Sequence, residues 1–203
     1  MNRRRFLASC AAILAVSPDV AAAREFKRHE YHLGHAEDGK VQYPATNLSA
    51  IPPEFHRTLV DYPTQEPPGT IVVHTLQHWL HFTLDGGKAM RFGCAVGRDG
   101  ARWEGHAKVG RKAVWPAWHP TAPMRKRNPS LPVRMAGGPK NPLGARALYL
   151  YRGQQDTLYR IHGTNEPWSI GKRASSGCLR MLNEDIIYLY SLAPIGTPVI
   201  VSF

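Results

Sequence analysis

From Gly69 onward the chain is written in short β-type runs separated by turn signals, and this limits its fold more than any other feature. The first runs are GTIVVHT, HWLHFTL, KAMRFGCAVG and HAKVGRKAVWP, punctuated by Leu76-Gln77, Asp85-Gly86-Gly87 and Arg98-Asp99-Gly100. Alternating apolar and polar side chains turn one face of each run toward a core, and the glycine turns let the chain double back. RALYLYR, TLYRIHG and PVIVSF resume the pattern toward the C-terminus. One helix is expected after Cys178: Asn183 can cap it, Glu184 and Asp185 suit its first turn, and Pro194 closes it. Residues 69–203 therefore read as a mostly β domain with a single good helix.

Two other segments differ from this block. Residues 116–145, PAWHPTAPMRKRNPSLPVRMAGGPKNPLGA, are too rich in proline and glycine for regular structure. A loop of this length inside a compact domain usually serves as a lid or binding wall. Residues 24–68 carry prolines at 44, 52, 53, 63, 67 and 68 and read as an extended arm, with a short helix near Glu54 to Val60.

Residues 1–23 read as an export signal peptide. Arg3, Arg4 and Arg5 precede an apolar run from Phe6 to Val16, and Ala21-Ala22-Ala23 suits a signal peptidase. Eleven apolar residues are too few to cross ~30 Å of hydrocarbon as a helix, so no stable membrane anchor is expected. Arg3-Arg4-Arg5-Phe6-Leu7 also resembles a twin-arginine signal. Leu7-Ala8-Ser9-Cys10 has the letters of a lipobox, but the apolar run lies mostly after Cys10 rather than before it. With 26 Lys and Arg against 15 Asp and Glu the chain carries +11, and about +9 without residues 1–23. An exported cation of this size calls for an anionic partner, of which the carboxylate-rich cell wall is the natural candidate. Scattered Arg and Lys without stacking aromatics do not make a nucleic-acid motif, so no nucleic-acid partner is expected.

Beyond residue 23 only Cys94 and Cys178 remain. In an oxidising compartment a disulfide between them is the first alternative. Cys94 sits in a strand-like run as a small core residue, whereas Cys178 lies in a Ser-Ser-Gly-Cys turn sixteen residues after His162. A free thiol is mostly protonated at neutral pH and needs a base or a positive field to act as a nucleophile. His162 ends a strand-like run and precedes Gly163, where the backbone can turn beside the imidazole. The amides of Gly177 and Cys178 could converge on one oxyanion. Arg180 adds a positive charge suited to a carboxylate or to holding the turn.

His162-Gly163-Thr164 followed by Ser175-Ser176-Gly177-Cys178-Leu179-Arg180 closely resembles the L,D-transpeptidase (YkuD-type) family. The resemblance runs from about Gly69 to Phe203 and includes GTIVVHT, GGPKNPLGARALYLY and IGTPVIV. It implies a β-sandwich-like catalytic domain acting on peptidoglycan stem peptides in the periplasm. Cys178 would be the nucleophile forming a thioester, His162 the general base and then acid, and the Gly163 carbonyl the group orienting the imidazole. Gly177 would supply an oxyanion amide, while Ser175, Ser176, Thr164, Arg180 and Trp118 would contact substrate. Many members carry a second histidine where this chain has Ser176. No metal or cofactor is implied. The acyl acceptor could be a second stem peptide, a D-amino acid or an outer-membrane protein amine. Water as acceptor would make the chain an L,D-carboxypeptidase or endopeptidase, and a non-catalytic wall-binding module is the third reading.

Other groups have plainer expectations. His74, His78 and His81 would suit zinc if helical, but their β-type neighbours suggest a hairpin that scatters them over different faces. Trp115, Trp118 and Trp168 read as packing residues, or as a wall for a glycopeptide. Arg125, Lys126 and Arg127 read as a solvated loop face, with stem carboxylates as their alternative partner.

Overall fold

The computed structural model describes residues 25–97, 103–174 and 178–203. The protein is mostly β. The strands are β1 (His32–Asp38), β2 (Val41–Thr46), β3 (Thr58–Asp61), β4 (Ile71–His74), β5 (Trp79–Leu84), β6 (Lys88–Gly93), β7 (Ala95–Gly97) and β8 (Gly105–Val114). A short helix α1 (Ala122–Arg127) precedes β9 (Arg146–Arg152), β10 (Gln155–His162), β11 (Arg173–Ala174) and β12 (Leu179–Arg180). Helix α2 (Asn183–Leu192) and β13 (Pro198–Ser202) close the chain. Each β-type run of the sequence thus becomes a strand, and the expected helix after Cys178 is α2.

Apart from the β1–β2 hairpin, the strands of the described residues join in one sheet, ordered β11-β7-β12-β10-β9-β8-β13-β4-β5-β6-β3. Ile71, Leu80 and Phe92 from one end share a core with Leu148, Ile161 and Leu179 from the other. A sheet this wide must therefore curl until its two halves face each other. Ile186 and Leu189 of α2 fill the space between them. Each such side chain contributes about 1.5–3 kcal/mol by leaving water.

Three local readings need correction. The stretch read as an extended arm is folded onto the domain, with β1 and β2 as a hairpin and β3 paired to β6 at the sheet edge. The supposed helix near Glu54 to Val60 is a single 3-10 turn, Pro53–Phe55, followed by β3. Apolar anchors outweigh the prolines here: Ile51 is buried with Ala95, Ile170 and Leu182. Phe55 sits so closely on Gly93 and Gly171 that a Cβ at either would lie within 2.5 Å of it. Second, the loop over 116–145 contains α1, capped by the Thr121 side chain with Pro123 in its first turn. Third, Asn183 does not cap α2. The N-cap is Leu182, and the Asn183 side chain turns inward to accept a hydrogen bond from the Ala145 N–H at 2.9 Å.

Candidate active site

Two parallel strands bring the cysteine and the histidine together. β10 pairs with β12 so that Ile161 lies level with Leu179, and His162 with Arg180. Ile161 and Leu179 point into the core. Alternation along each strand then turns Arg160, His162, Cys178 and Arg180 to the opposite face. The backbone on either side is tied down: Gly97 N–H donates to the Cys178 carbonyl at 3.1 Å, and Met181 N–H donates to the His162 carbonyl at 2.8 Å.

The imidazole is oriented by a backbone group. His162 Nδ1 lies 2.6 Å from the Gly163 carbonyl, so with Nδ1–H donating the lone pair is left on Nε2. This turn admits only glycine. A Cβ at Gly163 would meet Asn183 Oδ1 at 2.3 Å and the Ala145 nitrogen at 2.9 Å. Gly163 N–H is held in turn by the Arg146 carbonyl at 3.0 Å. The inward turn of Asn183 thus braces the strand that precedes the histidine.

Electrostatics keep both groups neutral at rest. Burial pushes His162 down to about 3, helped by the cations Arg180 and Arg160 and opposed by the Gly163 hydrogen bond. Burial also pushes the Cys178 thiol up, against the pull of Arg160, a hydrogen bond from its backbone, and Arg180. Cys94 behaves differently: fully buried and unpaired, its thiol is pushed up to about 12 by desolvation alone. Cys178 is also free of any disulfide.

The remaining expected site residues divide. Ser175, Ser176 and Gly177 lie outside the described residues, as do residues 1–23 and the Arg98-Asp99-Gly100 turn. Thr164 is buried, and its hydroxyl accepts from Glu166 N–H at 3.0 Å, which shapes the turn after the histidine. Arg180 donates to Glu166 at 2.8 Å with its side chain 11% exposed, so a carboxylate of the protein already occupies it. Trp118 bridges to Met135 within the long loop. Trp115 donates from Nε1 to Asp38, and Trp168 meets Tyr31 and His32 edge-on, so both pack the N-terminal segment. Arg125 donates to the Pro120 carbonyl, just ahead of α1.

Sequence reasoning missed several contributors. Asp38 at the end of β1 forms a bidentate pair with Arg146, whose carbonyl holds Gly163. Glu166 and Arg160 were also passed over. Only Arg160 had a signal, since it stands two residues before His162 on a strand and must share its face. The three histidines do lie on the expected hairpin, but it does not scatter all of them. His74 and His81 converge on Tyr62, with 2.9 Å from Tyr62 Oη to His74 Nε2 and a stacked Tyr62–His81 pair 4.3 Å apart. His78 lies in the turn between their strands. Among the described residues no three His, Cys, Asp or Glu side chains gather as a metal site, and no helix is long and apolar enough to cross a membrane.

Comparison with known proteins places most of the β domain in one family. The family model of the L,D-transpeptidase catalytic domain (YkuD) matches residues 68–201. The chain is 47% identical over 96 residues to "Probable L,D-transpeptidase YbiS" of Escherichia coli (strain K12), covering 45% of this chain and 30% of that protein. It therefore spans under a third of that relative's length. It is 34% identical over 134 residues to YqjB of Bacillus subtilis (strain 168), assigned by name to the same family, covering 65% of this chain and 70% of that one. A crystal structure from Brucella melitensis, named "Probable carnitine operon oxidoreductase caia", aligns with TM-score 0.52 and 42% identity over 74% of this chain and 96% of that one.

Proposed function

The chain belongs to the L,D-transpeptidase catalytic-domain family, and from that premise we propose that it is a peptidoglycan acyltransferase working through Cys178. The observation that carries this reading is the imidazole of His162, fixed through Nδ1 by the Gly163 carbonyl, on the same sheet face as the Cys178 thiol.

In the proposed reaction His162 Nε2 takes the thiol proton as Sγ attacks a carbonyl. That carbonyl belongs to the L-centre of the diamino acid, in its bond to a terminal D-alanine. The tetrahedral oxyanion is met by backbone amides, with those of Cys178 and Gly177 as candidates. Collapse breaks the C–N bond, and the proton on His162 passes to the departing amine, leaving a thioester and free D-alanine. An acceptor amine then attacks the thioester, His162 removes its proton, and the thiol is restored.

The basic chain and its leader suit work outside the cytoplasm, in the periplasm, against the anionic wall. The acceptor is a second stem peptide or a protein amine. The oxidoreductase name of the Brucella melitensis neighbour finds no support in this sequence, where no glycine is followed by another two residues on, as the dinucleotide-binding Gly-x-Gly-x-x-Gly requires. The test is mass analysis of products after incubation with a disaccharide-tetrapeptide. Cross-linked dimer with equimolar D-alanine is expected. D-alanine with tripeptide alone would assign hydrolysis instead, and no product would refute both.

A further inference from the structure

Strand register extends the site well beyond the cysteine–histidine pair. Arg111 on β8 lies level with Tyr149 on β9, and Tyr149 with Arg160 on β10. Arg160 in turn is level with Cys178, one residue before the Ile161–Leu179 pairing. Side chains directly opposite in a sheet share a face. Arg111, Tyr149, Arg160 and Cys178 therefore form a transverse row on the side away from the core. Contacts agree with the register. The guanidinium carbons of Arg111 and Arg160 stand 3.4 Å and 4.5 Å from the centre of the Tyr149 ring. The next level is flat, with Ala113 and Ala147 beside His162.

The arginines in and beside this row are not equivalent. Arg146 is paired with Asp38, Arg160 with Asp156 and Arg180 with Glu166. Arg111 is exposed and has no carboxylate partner among the described residues. Its stacking on a buried tyrosine ring holds the guanidinium in place while leaving its N–H edge for a ligand.

We propose that Arg111 is a specificity-determining residue that reads a carboxylate on the acyl donor. This deepens the acyl-transfer reading above and rests on it. Strands lie ~4.8 Å apart, and the guanidinium leans over β9, two strands from the cysteine. The carboxylate it meets is thus ~10 Å from the attacked carbonyl, the span of about three extended residues. Only one residue, the leaving D-alanine, lies beyond the scissile bond. The recognised carboxylate must therefore sit on the acyl side of the donor.

Two donors test this: a tetrapeptide with free carboxylates, and the same peptide with its acyl-side carboxylates amidated and the terminal D-alanine carboxylate intact. Arg111→Gln should raise KM for the free donor about tenfold or more, as loss of a charge-assisted pair does, with kcat within about threefold. Against the amidated donor, the variant and parent should be alike. Arg111→Lys should recover part of the affinity, because charge remains but the fork is lost. Equal losses on both donors, or no change on either, would overturn the assignment. Calorimetric binding of both donors to Cys178→Ala, with and without Arg111→Gln, reads the same contrast without turnover. A parent that binds with this contrast yet releases no D-alanine would count against the acyl-transfer reading and in favour of Arg111.

Discussion

A buried imidazole that resists protonation, near a thiol that resists ionisation, has consequences for each residue separately. His162→Gln should slow D-alanine release by about 100- to 10,000-fold, the usual cost of losing one acid–base group. Its effect on stability has a definite sign. His162 titrates at about 3 in the folded chain against 6.5 ordinarily, so the unfolded state binds the extra proton between those values. Its contribution is complete above about pH 6.5 and is lost as pH falls toward 3. Urea titrations across that window should show a shallower acid decline for the glutamine variant. Asp185 behaves in the opposite way. Burial pushes it up to about 7 despite Arg57 at 3.7 Å, and its Oδ2 has no hydrogen-bond partner. The folded state holds that proton, so Asp185 costs stability as pH rises from about 4 to 7. Asp185→Asn should stabilise by about 1–3 kcal/mol above pH 7, the cost of an unsatisfied buried group, and change little below pH 4. Identical stabilities at pH 8 would contradict this reading of Asp185.

Among the elements, the N-terminal hairpin carries the clearest consequence. Asp38 reaches Arg146 with both carboxylate oxygens and also accepts from Trp115, and these bonds hold its carboxyl below the usual range. The stabilisation is complete above the ordinary carboxylate value and is lost as pH falls below it. Asp38→Ala would strand a nearly buried guanidinium at the start of β9 and should lower stability by about 2 kcal/mol. A urea midpoint equal to the parent's would reduce the hairpin to an appendage. This element also marks where the sequence stopped being legible. The strands from Gly69 onward were readable because alternation and glycine turns are local signals. His162, Gly163 and Cys178 were singled out as candidates by the motif that carries the family resemblance, and the β10–β12 register brings them together. The hairpin was not, because its prolines obscure the period and its anchors, Ile51 on Ala95 and Asp38 on Arg146, join segments far apart in the chain. Arg111 escaped for the same reason: only strand register brings it level with Cys178. Asn183 looked like a cap because its residue type suits one, yet a buried amide at Ala145 claimed its oxygen.

Across the whole molecule, one face of a curled sheet holds the core and the other carries the proposed acyl-transfer site. The formal charge of +11 favours approach to an anionic polymer, and Arg111 and its row give that field a local direction. Everything rests on the thiol of Cys178 as the acyl carrier. The most direct measurement is intact-mass analysis with a carbapenem, whose strained ring presents an activated carbonyl, followed by peptide mapping. The expected result is a single adduct of the drug's full mass on Cys178, absent after prior alkylation of that thiol and absent from Cys178→Ala, while Cys94 stays unmodified in its buried site. An adduct on a serine, or one that persists in Cys178→Ala, would contradict it.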